Sequence, residues 1–197
     1  MSPRISQFSR EEIIEAAFQL VRAEGWAGFS VQAVGRAINS STMPIYSQFA
    51  NVRELEDAVC VRAMELLKSR LLESPSGDLW IDQAISYVNF ALEEKFLFRI
   101  LGDGRNIELQ NKLGMGLVQY IDTTLSGYPL FAGLNELEFK MIRLSRMLFA
   151  QRLAFWLNRD ENFLKDKGMD LEDFIRRTSK AIYDGFNLQF ALKATEE

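Results

Sequence analysis

The residue types that do most acid–base and metal chemistry are scarce in this chain. It contains no histidine, which removes the commonest general base, the commonest transition-metal ligand and every Ser–His or Cys–His nucleophile pair. Its one cysteine, Cys60, lies in an apolar helical run and reads as a small buried residue rather than a reactive thiol. A single cysteine also excludes an intramolecular disulfide and fits a reducing, cytoplasmic setting. Glu93 and Glu94 are adjacent, so they point to different faces of a helix and make poor partners for paired-carboxylate catalysis. Gly102-Asp103-Gly104-Arg105 lacks the third glycine and the preceding strand of a dinucleotide loop. No catalytic residue, metal set or cofactor is therefore assigned. Functional groups concentrate instead in "STMPIYSQF", residues 41–49, around Pro44.

A proline inside a helix removes a hydrogen bond and clashes with the preceding turn, at roughly 3 kcal/mol. Its position here makes sense only at a helix start. With Ser41 as cap, Thr42, Met43 and Pro44 become the first three helical residues, whose N–H groups lack intrahelical partners in any case. Upstream, Ser30 opens a helix over residues 30–38, with Ala33, Val34 and Ala37 on its inner face. Asn39 stands in the turn, where a left-handed residue is often needed and asparagine tolerates it. A helix, a short turn and a second short helix form a helix-turn-helix unit. On residues alone, 30–49 fit either a nucleic-acid reader or two packed helices with Tyr46 and Phe49 in a core.

The elements around this unit are helical throughout. Residues 9–24 begin with a capping box, Ser9 and Glu12, and stop at Gly25. Asn51 and Glu54 suggest a second capping box for a helix running toward residue 73, and Pro75-Ser76-Gly77 breaks the chain. Further helices are expected over 79–101 (broken near Glu94-Lys95), 107–125, 136–159 and 171–193, the last two capped by Asn135 and Asp170. The expected class is all-α, with about nine or ten helices: a three-helix head over 1–50, a connecting helix over 51–74, and a larger bundle over 75–197. A chain of 197 residues, 48% hydrophobic and 25% charged, can bury a core without staples. No run of 18 apolar residues appears, so no membrane span is expected. The opening MSPRISQFSREE turns acidic before any apolar run, so no signal peptide is expected.

"FSVQAVGRAINSSTMPIYSQFANVRELEDAV", with "AAFQLVRAEGW" before it, resembles the DNA-binding segment of the TetR family of transcriptional repressors. The resemblance rests on the ordered set Gly25, Ser30-Val31, Val34, Ala37, Ser41, Ile45-Tyr46, Phe49 and Leu55, and continues loosely through "YVNFALEEKFLFRIL". It implies a homodimeric repressor reading a palindromic operator, with half-sites about 34–36 Å apart or a little more. It implies that residues 42–48 enter the major groove, with Thr42, Met43, Ser47 and Gln48 toward base edges. Tyr46 would reach phosphate, Phe49 would plug the head, Arg36 would lie near the DNA backbone, and Ser30 and Ser41 would line the same surface. Three departures stand out. Asn39 replaces the usual turn glycine, Gln48 the usual histidine, and Arg53, one position away, the usual lysine. The first 60 residues hold five arginines and no lysine against seven acids, a net charge of −2. Each phosphate contact adds affinity and salt dependence, so weak, salt-sensitive DNA binding is expected, helped by Arg4 and Arg10 on an N-terminal arm.

The bundle is rich in large apolar residues, and Gly114 and Gly116 inside one helix can leave room or let it bend. The resemblance implies a small lipophilic effector there, and Phe90, Met115, Tyr120, Met141, Phe149 and Trp156 are the candidate lining. The final two helices look like a dimer interface: Phe139 and Ile142 on one, with Phe174, Ile182, Gly185, Phe186 and Phe190 on the other, forming a four-helix bundle across a two-fold axis. Two other classes remain open. One is a helical ligand-binding or protein-interaction module that has lost strong DNA binding. The other, disfavoured by the residue inventory, is a helical enzyme.

Overall fold

The computed structural model describes residues 8–193. They form nine α-helices and no strand: α1 (Arg10–Glu24), α2 (Val31–Ala37), α3 (Met43–Gln48), α4 (Val52–Arg70), α5 (Leu79–Glu93), α6 (Lys95–Ile100), α7 (Ile107–Leu125), α8 (Glu136–Arg159) and α9 (Leu171–Lys193). No helix among the described residues is long and apolar enough to cross a membrane. Contacts group the chain into two compact units, neither continuous in sequence. One runs to Leu66 and takes in Glu94–Gly114; the other holds Leu67–Glu93 and the chain from Met115 onward. The contiguous division at residues 50 and 74 is therefore not how the contacts fall, because α6 packs on α1.

The first unit is built on α1. Ser9 Oγ accepts from the Glu12 N–H at 3.2 Å while the Glu12 carboxylate accepts from the Ser9 N–H at 2.8 Å, so the capping box is complete. Ile13, Ala17, Phe18 and Val21 form its buried stripe, joined by Val34, Ile45, Phe49, Leu55, Val59 and Leu97. At its end Gly25 has φ +66°, and a Cβ there would lie 2.9 Å from the Phe96 ring. Glycine thus both stops α1 and admits α6 against it. The break between α5 and α6 falls at Glu94, whose buried carboxylate is paired with Arg22 of α1, with Nε to Oε2 at 2.8 Å.

The helix-turn-helix unit matches the sequence expectation at its turn and differs from it in two details. Asn39 is left-handed, with φ +52°, as the turn requires. The inner face of α2, however, is made by Val31, Val34 and Gly35, while Ala37 is exposed. A Cβ at Gly35 would meet the Ser40 and Ser41 carbonyl oxygens at 3.2 and 3.3 Å, and the Gly35 carbonyl accepts from the Ser40 N–H at 2.8 Å. Glycine is what lets the turn fold onto α2. Finally, α3 begins at Met43, so Pro44 is its second residue and Thr42 the cap position, without a side-chain cap bond. The Ser41 hydroxyl accepts from the Met43 N–H at 3.4 Å. The proline still sits where its missing N–H removes no helical bond.

In the second unit α5, α8 and α9 pack on one another. Trp80, Ala84 and Val88 of α5 and Ile142, Ala154 and Leu157 of α8 are buried, and Phe131 meets Trp80 edge-on at 5.2 Å and Phe139 at 5.1 Å. Buried Asp82 anchors the Pro75-Ser76-Gly77 break, accepting from the Ser74 and Ser76 hydroxyls at 2.8 and 2.7 Å and the Ser76 N–H at 3.0 Å.

The left-handed turn gives a direct stability test. Asn39→Gly should leave the unfolding free energy within about 0.5 kcal/mol, whereas Asn39→Val should lower it by about 1–2 kcal/mol in urea denaturation.

Candidate nucleic-acid interface

With six residues, α3 is too short to persist by its own hydrogen bonds. It is held through one face. Ile45 and Phe49, four residues apart, are 1% and 2% exposed, and they seat the helix on the core of the first unit. The opposite face is turned outward: Met43 is 73% exposed and Tyr46 57%, with Ser41 and Ser47 exposed and Thr42 and Gln48 half-buried. Of the two aromatic residues left open by sequence, Phe49 is core and Tyr46 is surface. The Ser47 hydroxyl donates to the Pro44 carbonyl at 2.6 Å, and Gln48 Nε2 donates to the Phe8 carbonyl at 3.4 Å. Both keep unused acceptor capacity on an exposed or half-exposed side chain. Ser30 is occupied in capping α2, accepting from the Ala33 N–H at 3.1 Å.

The cationic residues have different fates. Arg36, in the last turn of α2, is exposed. Arg4 lies outside the described residues. Arg10, expected on an arm, is instead the first residue of α1 and is already engaged. Its guanidinium lies 4.1 Å from the Phe49 ring centroid, donating from Nη1 to the Gln48 carbonyl at 2.6 Å and from Nη2 to Glu54 at 2.8 Å. Glu54 in turn accepts from the Ala50 N–H at 2.8 Å, one residue short of the expected capping box, while Asn51 caps α4 through the Glu54 N–H at 3.0 Å. The Ala50 N–H, followed by Arg10, holds the Glu54 carboxylate below its ordinary pKa. Nothing in sequence separates an arginine that pairs 44 residues away from one that waits for phosphate. Arg53 is exposed, and its Nη2 donates to the Arg105 carbonyl at 3.0 Å.

The candidate effector-lining residues of the second unit differ widely in burial. Phe90 is buried, whereas Met115, Met141 and Trp156 are 66%, 39% and 40% exposed. The Tyr120 hydroxyl donates to the Lys68 carbonyl at 3.1 Å, and Phe149 pairs with Phe174 at 5.7 Å. A hydrophobic residue type marks burial on average, and only neighbours on other helices decide each case. Open space, not packed side chains, lies beside Gly114. Phe90 does border a cleft of about 190 Å³ that also meets Arg70, Asp82, Asn89, Glu93 and Arg176. Its walls mix these charged groups with Pro75, Ile85 and Phe90.

The expected dimer residues divide as well. Ile142 is fully buried inside the protomer, whereas Phe139 and Phe174 are half-buried and make ring contacts with Phe131 and Phe149. Ile182, Phe186 and Phe190 are half-buried and Gly185 is exposed. The apolar surface lies one register over: Leu137, Met141, Leu144, Leu148 and Phe155 on α8, and Leu188 and Leu192 beside Gly185 on α9. No group of acidic, histidine or cysteine side chains suited to a metal ion occurs among the described residues.

Neither a protein-family profile nor a curated protein matches the sequence. Solved structures do. A TetR-family transcriptional regulator from Streptomyces coelicolor aligns with a TM-score of 0.68 at 18% identity, over 95% of this chain and 82% of that one. A protein of unknown function from Rhodococcus sp. RHA1 aligns at 0.66 and 18% identity, over 94% and 98% of the two chains. A second Streptomyces coelicolor transcriptional regulator, a TetR, aligns at 0.55 and 16% identity, over 96% and 97%.

Burial pushes the Cys60 thiol up to about 12, with Asp103 and Asp57 adding to the effect. Alkylation of native protein at pH 8 should therefore run at least about a hundredfold slower than alkylation in denaturant. Comparable rates would show the side chain to be open.

Proposed function

We propose that this chain, which has the fold of TetR-family transcriptional regulators, is a homodimeric DNA-binding regulator released from its operator by a small molecule. The observation that carries the proposal is α3 itself: a short helix pinned by Ile45 and Phe49 and presenting Met43, Tyr46 and Ser47 outward. Such a helix has the dimensions of a major-groove reader, with a methionine methyl toward thymine and hydroxyls toward bases and phosphate. The engagement of Arg10 and Arg53 within the protein supports weak, salt-sensitive binding, since few cations are left to neutralise phosphate. The same engagement favours one second reading: a ligand-responsive module of the same fold that no longer binds DNA.

Electrophoretic shift with DNA flanking the chain's own gene separates the two. Under the leading reading, Arg36→Ala weakens binding uniformly across sequences and lowers the salt slope by about one. Met43→Ala instead relaxes sequence preference. Absence of any shift at low salt overturns the DNA reading.

Dimerisation is supported by the apolar stripes on α8 and α9, with exposed Gly185 allowing close helix approach. Leu188→Asp or Leu144→Asp should convert a dimer to a monomer in light scattering at micromolar concentration. A parent chain that is already monomeric overturns this part.

A further inference from the structure

Two arginines of α8, Arg143 and Arg146, are buried in the core of the second unit at 4% and 2% exposure. Arg143 has a counter-charge, the carboxylate of Asp122. Arg146 has none: no carboxylate among the described residues lies within ion-pair distance of it. Its Nη1 donates to the Trp80 carbonyl at 2.9 Å, its guanidinium lies 4.2 Å from the Trp80 ring centroid, and its Nε has no acceptor. The indole Nε1 of Trp80, itself 2% exposed, has no acceptor either. One stacked pair thus presents two unsatisfied N–H donors, one of them cationic. Burial, with the positive charge of Arg143, works against the Arg146 charge, and Asp78 offsets it only in part. The Asp78 Oδ1 is itself occupied by the Ile81 N–H at 3.2 Å and the Tyr128 hydroxyl at 3.1 Å.

A buried cation without a partner is strongly unfavourable, and a hydrophobic residue of similar volume would serve a purely structural core better. We infer that the Arg146–Trp80 pair is a binding site for a carboxylate carried on an apolar body. A carboxylate accepts from both donors and supplies the missing charge. A neutral amide supplies acceptors but no charge, and an amine would meet a like charge. Phe131, 5.2 Å from Trp80, and the Phe139 and Tyr183 rings against Phe131 provide an aromatic wall for the apolar part. Because both members of the pair are almost fully enclosed, entry requires α5 and α8 to part, which couples occupancy to helix position within this unit.

The inference rests on the effector part of the function proposed above and narrows the effector from lipophilic to anionic. Isothermal calorimetry on the full chain tests it without DNA. Failure here therefore leaves operator binding standing, and failure of operator binding leaves this site standing. Octanoate and benzoate should bind, and octanamide should bind at least about tenfold more weakly. Arg146→Met should abolish that preference while raising the melting temperature of the unliganded chain, because it removes the unpaired charge. Trp80→Phe, which keeps the ring but loses the N–H, should weaken octanoate by about threefold to tenfold. Absence of binding by either carboxylate, equal binding of octanoate and octanamide, or parent-like octanoate binding by Arg146→Met would overturn the assignment. So would inorganic phosphate binding as tightly as octanoate, or a large fall in melting temperature for Arg146→Met.

Discussion

A helix of six residues has almost no interior, so its conformation must be imposed from outside. That constraint governs the unit of this protein that carries α3. Ile45 and Phe49 supply the anchoring, and everything near them serves to keep that seat in place. The Arg10 guanidinium covers the Phe49 ring, bonds the carbonyl at the end of α3, and ties both to Glu54 at the start of α4. Gly35 lets the turn close on α2, and Asn39 carries the left-handed step. Three helices are thereby fixed around a surface of only a few outward side chains.

Holding α3 in this way uses charge that a DNA-binding surface would otherwise present. Arg10 is committed to Phe49 and Glu54, and Arg53 to the Arg105 carbonyl. The shortage of cations in the first 60 residues and their internal engagement point in the same direction. Base contacts can specify a site, but phosphate contacts supply most of the affinity. Under the proposed function, a head presenting Met43, Tyr46 and Ser47 with so little positive charge would depend on pairing two copies, because two weak heads on one operator act at high effective concentration.

The second unit departs from a simple apolar bundle. Asp82, Arg143, Arg146 and Asn158 are all buried there. Asp82 is satisfied by two serines, Asn158 donates to the Ala91 carbonyl at 2.7 Å, and Arg143 is paired with Asp122. Arg146 alone among these four lacks a partner for its charge. Gln83 Oε1 and Ser179 Oγ are also buried without hydrogen-bond partners, but they are neutral; Arg146 is the group whose full charge is left uncompensated, and this is what the inferred carboxylate would supply.

Helix positions were legible in the sequence because caps, stops and apolar spacing act within one or two turns of chain. Ser9, Asn135 and Asp170 begin helices, Gly25 ends one, and Pro44 marks a start. The helix-turn-helix unit was legible for the same reason. Partnerships were not. The bonds from Arg10 to Glu54 and from Arg22 to Glu94 span 44 and 72 residues, and no local pattern separates a committed arginine from a free one. Nor does an apolar residue type separate the buried face of α8, with Ile142, from the exposed stripe of Leu144 and Leu148. By itself, the sequence determined the all-helical class, the helix ends and the helix-turn-helix segment, since those depend on neighbours in the chain. Only the tertiary structure decided which arginines are engaged, which faces of α8 and α9 remain open, and that Arg146 is buried without a counter-charge. Those outcomes depend on which helices pack together, and helix packing sets burial and charge pairing among residues far apart in sequence.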